Sequence, residues 1–383
     1  MAPGFALSVA AGVIGMLTLG SRVWGQELRT TADVALQEEY QDNVFFSQTA
    51  KERTWLTTVA PRVKARYGSE RASVSGGARL EGRAYSRDGD LNTVTQLYTA
   101  SAERRTERLT SGVSGSFIRD TTLDTELQQT GIVLDRHRRV SRTGRVDLGY
   151  ALTERTETRL IYSYTDTKYD AARLADYVDQ NVQLETRHAV SDARHALGAT
   201  VSASIFETDS SYRSRELSAA VSYTHHVSER FQAALTAGLR RTRVRIGGNL
   251  GATATDAGVV SEVRLTRQWD TGSLSLAVSR RTNPSGSGRL VETTHGSLHG
   301  VYAVTAQATA TFDADWYGNS AVDPLGGNAD STLERIEPGV GWRVGERLTV
   351  AAAYTHLRQR TETGHASANR VMARLVYEWY RSE

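Results

Sequence analysis

Residues 221–244 read VSYTHHVSERFQAALTAGLRRTRV. Either side of Ser228, Glu229 and Arg230, apolar residues recur at every second position: Val221, Tyr223 and Val227 before the break, then Phe231, Ala233, Leu235, Ala237 and Leu239 after it. A period of two describes a strand with one apolar and one polar face, and a three-residue polar break describes a tight hairpin. A hairpin this long with so polar a back needs an environment that is apolar on one side only.

Composition narrows what that environment can be. The chain has 383 residues, no cysteine, five prolines and thirty-three glycines, and its mean hydropathy is −0.42. Hydropathy of that sign suggests a soluble protein, but a membrane β-barrel gives the same average because its lipid-facing and lumen-facing residues alternate and cancel. The lack of cysteine excludes a disulfide framework and thiolate chemistry. With 46 basic and 43 acidic residues, the formal charge of +3 gives no sign of a nucleic-acid-binding polycation, and no nucleic-acid partner is expected. Only Lys51, Lys64 and Lys168 are lysines. Arginine's planar fork suits phosphate and carboxylate, as on a lipopolysaccharide-facing or sugar-acid-lined surface, although genomic codon bias is the blander cause.

The N-terminus carries FALSVAAGVIGMLTLG and then SRVWGQ, which reads as the apolar region of an export signal with cleavage near Gly25 and Gln26. Residues 1–25 are therefore expected to be a signal peptide and residues 26–383 the mature domain. The positive n-region is missing, and the competing reading is a lone membrane anchor. No other stretch approaches the roughly 20 apolar residues of a spanning helix.

Beyond that segment the opening pattern is a repeat. Polar breaks recur as GSER (68–71), RTER (105–108), LTER (152–155), VSER (227–230) and VGER (344–347), with looser versions VSDAR (190–194), WDTGS (269–273) and VTAQA (304–308). Between them lie longer connections: QDNVFFSQTAKER, SRDGDLN, TTLDTELQQTG, DAARLAD, TDSS, GGNLGATATDAG, NPSGSG, YGNSAVDPLGGNADS and TETGHAS. Short turns at one end and long loops at the other describe an outer-membrane barrel with periplasmic turns and extracellular loops. The punctuation predicts an all-β, antiparallel, up-and-down transmembrane barrel. It has about eighteen strands, from one near residues 31–39 to one near 368–380; sixteen is the alternative, turning on residues 121–138.

Face assignment follows from the alternation. Val146, Leu148, Tyr150 and Leu152 point outward, with Arg145, Asp147, Gly149 and Ala151 behind them; Leu160, Tyr162 and Tyr164 are out and Arg159, Ile161 and Ser163 in; Leu274, Leu276 and Val278 are out, with Ser273, Ser275, Ser279 and Arg281 in. The predicted lumen-lining set is Arg145, Asp147, Arg159, Glu216, Arg240, Arg281, Arg374 and Glu378. Aromatic residues near strand ends, Tyr67, Tyr85, Tyr223, Phe231, Trp269, Trp342, Tyr377 and Trp379, are expected to form interfacial girdles. The competing reading of these is the ordinary core of a soluble β-sandwich.

ALQEEYQDNVFFS (35–47), WLTTVAPRVKARY (55–67) and YALTERTETRLIYSYTDTKYD (150–170) resemble the β-barrel porin type 2 family, and the outer-membrane proteins associated with exopolysaccharide and PEP-CTERM sorting systems. The resemblance covers most of the mature chain and rests on architectural motifs. It implies an outer-membrane barrel, a conduit or accessory protein for polysaccharide export, and carries over no catalytic residue. In one respect the chain departs from the pattern: LVYEWY is followed by Arg381, Ser382 and Glu383, so the terminal aromatic signal for the barrel assembly machinery is expected at Trp379 and Tyr380.

Enzymatic constellations are weak. Among nine histidines, His295 and His299 lie four apart in HGSLH, a metal spacing on a helix but a distant pair on a strand. His295 or His356 with a nearby serine imitates a barrel lipase only without a distinctive serine motif. DGDLN (88–92) has alternating oxygen ligands but not the rest of a calcium loop. The histidines also include His225 and His226, and no phosphate-binding loop or dinucleotide fingerprint is present. No enzyme activity, metal or cofactor is expected. Two functional classes remain: a channel narrowed by an inward-folded loop, with residues 121–136 and 317–331 the longest candidates, and a non-conducting scaffold that docks periplasmic export proteins. The expected partners are outer-membrane lipid and lipopolysaccharide, the assembly machinery, and polysaccharide or periplasmic export proteins.

Overall fold

The structure, a computed structural model, describes residues 27–381 apart from 50, 88, 124–129, 131, 133–135, 191–193, 248–251, 323–329 and 363. The expected signal segment lies outside the described residues. Eighteen strands follow in chain order: β1 (Glu27–Gln41), β2 (Thr54–Gly68), β3 (Ala72–Tyr85), β4 (Thr93–Arg105), β5 (Leu109–Thr121), β6 (Arg138–Ala151), β7 (Thr156–Tyr169), β8 (Tyr177–Ala189), β9 (His195–Thr208), β10 (Tyr212–Ser228), β11 (Phe231–Ile246), β12 (Ala252–Trp269), β13 (Gly272–Ser285), β14 (Arg289–Ala303), β15 (Ala308–Ala321), β16 (Ser331–Arg343), β17 (Leu348–Thr361) and β18 (Gly364–Arg381). Each pairs antiparallel with its sequence neighbours, and β1 pairs with β18 from Thr31 opposite Arg381 to Gln41 opposite Arg370. The sheet is a closed barrel, which removes the free edges that an open sheet would expose. β5 pairs directly with β6 from Leu109 opposite Tyr150 to Thr121 opposite Arg138, so residues 122–137 are one connection and the sixteen-strand count does not hold.

All eight predicted breaks fall between consecutive strands at one end of the barrel, and Glu27 opposite Gly68 places β1 starting at that end. Their recurring Ser or Thr has a mechanical cause. The Thr106 hydroxyl accepts from the Leu109 amide at 3.0 Å, Thr153 from Thr156 at 3.0 Å, and Thr305 from Ala308 at 2.9 Å. A short hydroxyl side chain thus satisfies a turn amide that has no strand partner. Gly68 is required because a Cβ there would lie 2.5 Å from the Ala72 carbonyl oxygen.

The nine other connections lie at the opposite end, and several strands run further into them than the sequence pattern predicts. Residues 252–258, 283–285, 317–321 and 364–367 are strand, where the pattern reads loop. Along the wall, exposure alternates with period two: Val146, Leu148, Tyr150, Leu160, Tyr162 and Tyr164 are exposed on the outer face, and Arg145, Asp147, Arg159 and Ile161 sit on the inner face. No helix among the described residues is long and apolar enough to cross a membrane. Buried apolar side chains collect inside the barrel at its loop end, in two clusters. One holds Phe46, Tyr317, Leu333, Leu357, Ala366 and Ala368; the other Tyr177, Phe206, Tyr212, Val244, Leu290 and Val322.

Candidate functional site

Those clusters exist because loop-end connections fold into the lumen. In the connection between β1 and β2, Asn43 is buried and its side-chain amide donates to the carbonyls of Ser47 (2.8 Å) and Ser367 (3.0 Å). Asp42 accepts from the Asn369 amide and side chain at 2.7 and 2.6 Å. This acidic-amide turn delivers Phe46, at a left-handed φ of 53°, onto inner-face residues of β15–β18. A positive φ is uncommon for a bulky residue and marks a fixed rather than a floppy loop. Between β5 and β6, Thr122 and Thr130 are fully buried. The Asn319 side chain, on the inner face of β15, donates to the Thr130 carbonyl at 2.5 Å and accepts from the Thr293 hydroxyl at 2.8 Å. Seven strands, β16–β18 and β1–β4, separate β15 from β5 on the shorter way round, so Thr130 sits across the lumen from the strand that leads into its connection.

The third inward element is the end of the β13–β14 hairpin. β12 and β13 pair only from Trp269 opposite Gly272 to Ser261 opposite Arg280, although β12 begins at Ala252 and β13 ends at Ser285. Above that point β13 parts from β12 while β14 stays paired with β15 as far as Val291 opposite Ala321, so this side of the wall bends inward and carries the hairpin end with it. Leu290 then packs on the inner-face residues Tyr177, Phe206, Tyr212 and Val244 of β8–β11, and the Gly286 carbonyl accepts from the Ala175 amide at 3.2 Å. Gly288 has φ +75° and a Cβ there would lie 2.5 Å from that of Ala175. The departure also turns Glu292 onto the inside of β11 and β12. Its carboxylate takes Arg240 Nη2 at 2.6 Å and Arg280 Nε at 2.8 Å, while Arg240 Nη1 donates to Asp256 at 2.8 Å and Thr242 at 2.9 Å. Gly258 leaves room for this: a Cβ there would come within 2.6 Å of the Arg240 guanidinium.

Beneath the β5–β6 connection, the inner faces of β1–β3 and β18 form a basic pocket lined by Arg79, Arg83, Arg136, Arg370 and Arg374 against two acids, Glu39 and Glu81. Glu81 holds Arg79 and, at 3.0 Å, Arg83; Glu39 lies 3.9 Å from Arg370 and is held by Gln37 and Gln41 at 3.0 and 2.7 Å. Arg136 lies over the Tyr85 ring at 4.6 Å. No carboxylate among the described residues pairs with Arg374, and Arg136 Nη2, Arg370 Nε and Arg374 Nε are buried without an acceptor there. Buried donors of this kind need water or an anion. Planar guanidinium forks arranged around a cavity match carboxylate or phosphate geometry.

The structure distributes the sequence-predicted residues as follows. Arg145, Asp147, Arg159, Glu216, Arg240, Arg281, Arg374 and Glu378 all carry inner-face register, but they do not form one site. Arg374 joins the basic pocket, Arg240 anchors the hairpin, and Glu216 accepts from Thr242 at 2.9 Å on the far wall. Arg159 pairs with Glu157 at 3.1 Å. Arg281 lies on the departed part of β13, and Asp147 folds over Gly112, where a Cβ would meet its carboxylate. The reading missed Arg79, Glu81, Arg83, Arg136 and Arg370; the alternate charges of ARLEGR (78–83) were the available signal. It also missed the Arg139–Asp120 pair, bonded at 3.1 Å with both side chains buried.

Tyr67, Tyr223, Phe231, Trp269, Trp342, Tyr377 and Trp379 all carry outer-face register at the short-turn end. Tyr85 does not belong with them: its register is inward, in the basic pocket. A second outer ring, at the loop end, includes Tyr40, Trp55, Trp316 and Tyr354. His295 and His299 face inward on separate partners, Asp315 at 3.0 Å and Asp313 at 2.6 Å, and His356 bonds Asn369 at 2.8 Å. No group of three metal-ligating side chains converges among the described residues. In the expected calcium-like loop, Asp88 lies outside the described residues and Asn92 instead accepts from the Tyr85 amide at 2.8 Å.

No family model matches the chain, and no curated protein matches it. Among solved structures, OccK2 (OpdF) of Pseudomonas aeruginosa superposes with a TM-score of 0.49 at 12% identity, over 92% of this chain and 98% of that one. The outer membrane protein OpdK of the same organism gives 0.46 at 11% identity, over 91% and 99%. The alcaligin outer-membrane receptor FauA of Bordetella pertussis gives 0.46 at 12%, over 94% and 77%. At these values the likeness is one of barrel architecture and assigns neither solute nor partner.

Proposed function

We propose that the chain is a porin-like, non-enzymatic channel of the bacterial outer membrane, exported with residues 1–25 as its signal, whose eyelet passes small anionic solutes. The observation that carries this reading is the basic pocket beside the inward-folded β5–β6 connection: five arginines against two glutamates, with guanidinium donors left free. Favourable but multiple and individually weak sites are what conduction requires, since a solute must leave each arginine as readily as it arrives. The outer face supports a membrane setting. Its apolar residues are flanked at one end by the ring of Tyr67, Tyr223, Phe231, Trp269, Trp342, Tyr377 and Trp379, and at the other by Tyr40, Trp55, Trp316 and Tyr354, as interfacial girdles are. The resemblance to type 2 porins and exopolysaccharide-associated barrels belongs to this proposal: the carboxylates of an acidic sugar polymer would meet the same arginines.

The test is single-channel conductance of the refolded chain in a planar bilayer, with heat-modifiable gel mobility verifying the barrel. We expect discrete steps with anions preferred, and loss of that preference in Arg79→Gln/Arg83→Gln/Arg370→Gln/Arg374→Gln. A folded barrel that carries no current would overturn the channel and leave a scaffold that docks periplasmic export proteins. One observation favours that second reading: the Arg240–Glu292 pair is buried and fixes the inward-bent hairpin against β11 inside the barrel.

A further inference from the structure

Outside the barrel at its loop end, β9–β12 place their outward residues in level rows fixed by the strand register. From the rim downward these read Glu207, Arg213, Arg245, Thr253; then Ile205, Arg215, Arg243, Thr255; then Ala203, Leu217, Arg241, Ala257; then Val201, Ala219, Leu239, Val259. Arg213, Arg215, Arg241, Arg243 and Arg245 are all exposed, and their neighbours along each strand, Ser214, Thr242 and Val244, are buried. The change from charge to hydrocarbon is abrupt: Leu217 and Leu239, beside Arg215 and Arg241, are 58% and 71% exposed.

This arrangement is unfavourable on its own. Arg213 faces Arg245 and Arg215 faces Arg243 directly across the strand pair, and like charges so placed repel. Glu207 neutralises only Arg213, at 2.6 Å, and no other carboxylate among the described residues pairs with the remaining four. Cross-strand neighbours lie about 5 Å apart and same-face neighbours on one strand about 7 Å apart, so side chains as long as arginine's can converge on a single phosphate. Two grooves meet here. The upper is lined by Arg215, Arg241, Arg243, Thr253 and Thr255, with Glu216 between them in the chain but of inner-face register, its carboxylate accepting from Thr242; the lower, floored by Ala219 and Ala257, runs between Val201, Leu217, Leu239 and Val259. Together they offer an anion site continuous with an apolar trough.

We propose that this outer face binds a phosphorylated glycolipid of the outer leaflet, of lipid A chemistry, with its phosphate between Arg215, Arg241 and Arg243 and an acyl chain along Ala219 and Ala257. The proposal rests on the outer-membrane reading above, because it needs a leaflet at that height. The site lies at the long-loop end, the outer leaflet in a barrel so oriented. Charge-assisted bonds to a phosphate at a lipid boundary are stronger than in water, and arginine's fork makes two at once.

The test is native mass spectrometry of the full folded chain in detergent, titrated with bis-phosphorylated lipid A, with the same lipid stripped of phosphate, with phosphatidylglycerol and with inorganic phosphate. We expect retention of lipid A over the other three, and binding about tenfold or more weaker in Arg215→Gln/Arg243→Gln. Arg358→Gln/Arg360→Gln, two exposed outer-face arginines of β17 at the same rim, serves as control and should bind as the unaltered chain does. Equal binding of the stripped lipid or of phosphatidylglycerol, displacement by inorganic phosphate, or equal weakening in the control would overturn the site. So would an oligomer that dissociates in the arginine variant while lipid binding persists, which would assign the patch to a second copy of the chain. Bilayer insertion of the same preparation separates the two levels: a chain that inserts but ignores lipid A removes this site alone, and one that does not insert removes the membrane reading with it.

Discussion

Glu292 is where one side chain decides the geometry of a larger piece. With Arg240 side-chain exposure at 2% and Glu292 at 8%, neither charge can turn to solvent if the other is lost. Breaking a buried pair from one side costs about 3–5 kcal/mol when the survivor stays buried and uncompensated, and less than that here because Asp256 still holds Arg240, whereas replacing both partners by apolar groups is often neutral. Glu292→Gln should therefore lower the denaturation midpoint of the folded barrel by an amount that Arg240→Met/Glu292→Leu largely restores, since the partners then left over, Asp256 and Arg280, are part-exposed and can turn to water; urea titration of barrels in lipid vesicles reads both. Equal losses in the two variants would mean that packing, and not charge, holds the hairpin. Nothing in RLVETTH (289–295) announces this role. Its one trace is four successive buried residues, Leu290 to Thr293, where a wall strand would alternate. The arginine partner was legible as an inward residue; that its acid comes from three strands away was not, because sequence pattern fixes the face of a strand and not the reach of a side chain.

At the level of elements, the seam between β12 and β13 is the feature that the hairpin's departure leaves behind. Residues 252–260 of β12 pair with β11 on one side and with no strand on the other. In an antiparallel ladder successive amides point alternately to the two neighbours, so roughly half of those in this stretch lack a strand acceptor. Hydrogen exchange should show residues 252–260 with about half the protection of residues 261–269, which are paired on both sides. Uniform protection along β12 would mean that another segment covers the seam. The same stretch explains why several strand ends read as loops. ATATDAG is strand, yet beyond the apolar band neither face needs hydrocarbon, and the small residues that fill it look like loop composition. The hairpin punctuation was legible for the opposite reason: turns such as those at Thr106, Thr153, Thr305 and Gly68 need a local hydroxyl or glycine, and local requirements are written in local sequence. The inward folding of the β5–β6 connection was legible as a candidate from its length alone, and its anchor at Asn319 was not, since that contact joins residues 189 apart.

For the whole molecule, inward residues of both signs share many of the strands, but the structure sorts them by place. Acids and bases neutralise one another around the hairpin, at Arg240, Asp256, Glu292 and Arg280, while the β1–β3 and β18 wall keeps an excess of arginine. A channel whose selectivity comes from such an excess acts on mobile ions through water, and water with salt screens it: the Debye length falls from about 10 Å at 0.1 M to about 3 Å at 1 M. Fixed pairs in the buried hairpin are screened much less, so salt should alter selectivity without altering the fold. Reversal potentials measured across a salt gradient should accordingly show an anion preference at about 0.1 M that falls toward neutrality near 1 M, with conductance steps keeping their number and lifetime. Selectivity that survived high salt would point to donors close enough to strip the solute of water, placing the discriminating contact at the buried Arg370 and Arg374 donors. A change in step lifetime with salt would instead mean that the inward connections are themselves held by screened charge, and that the eyelet is a moving part.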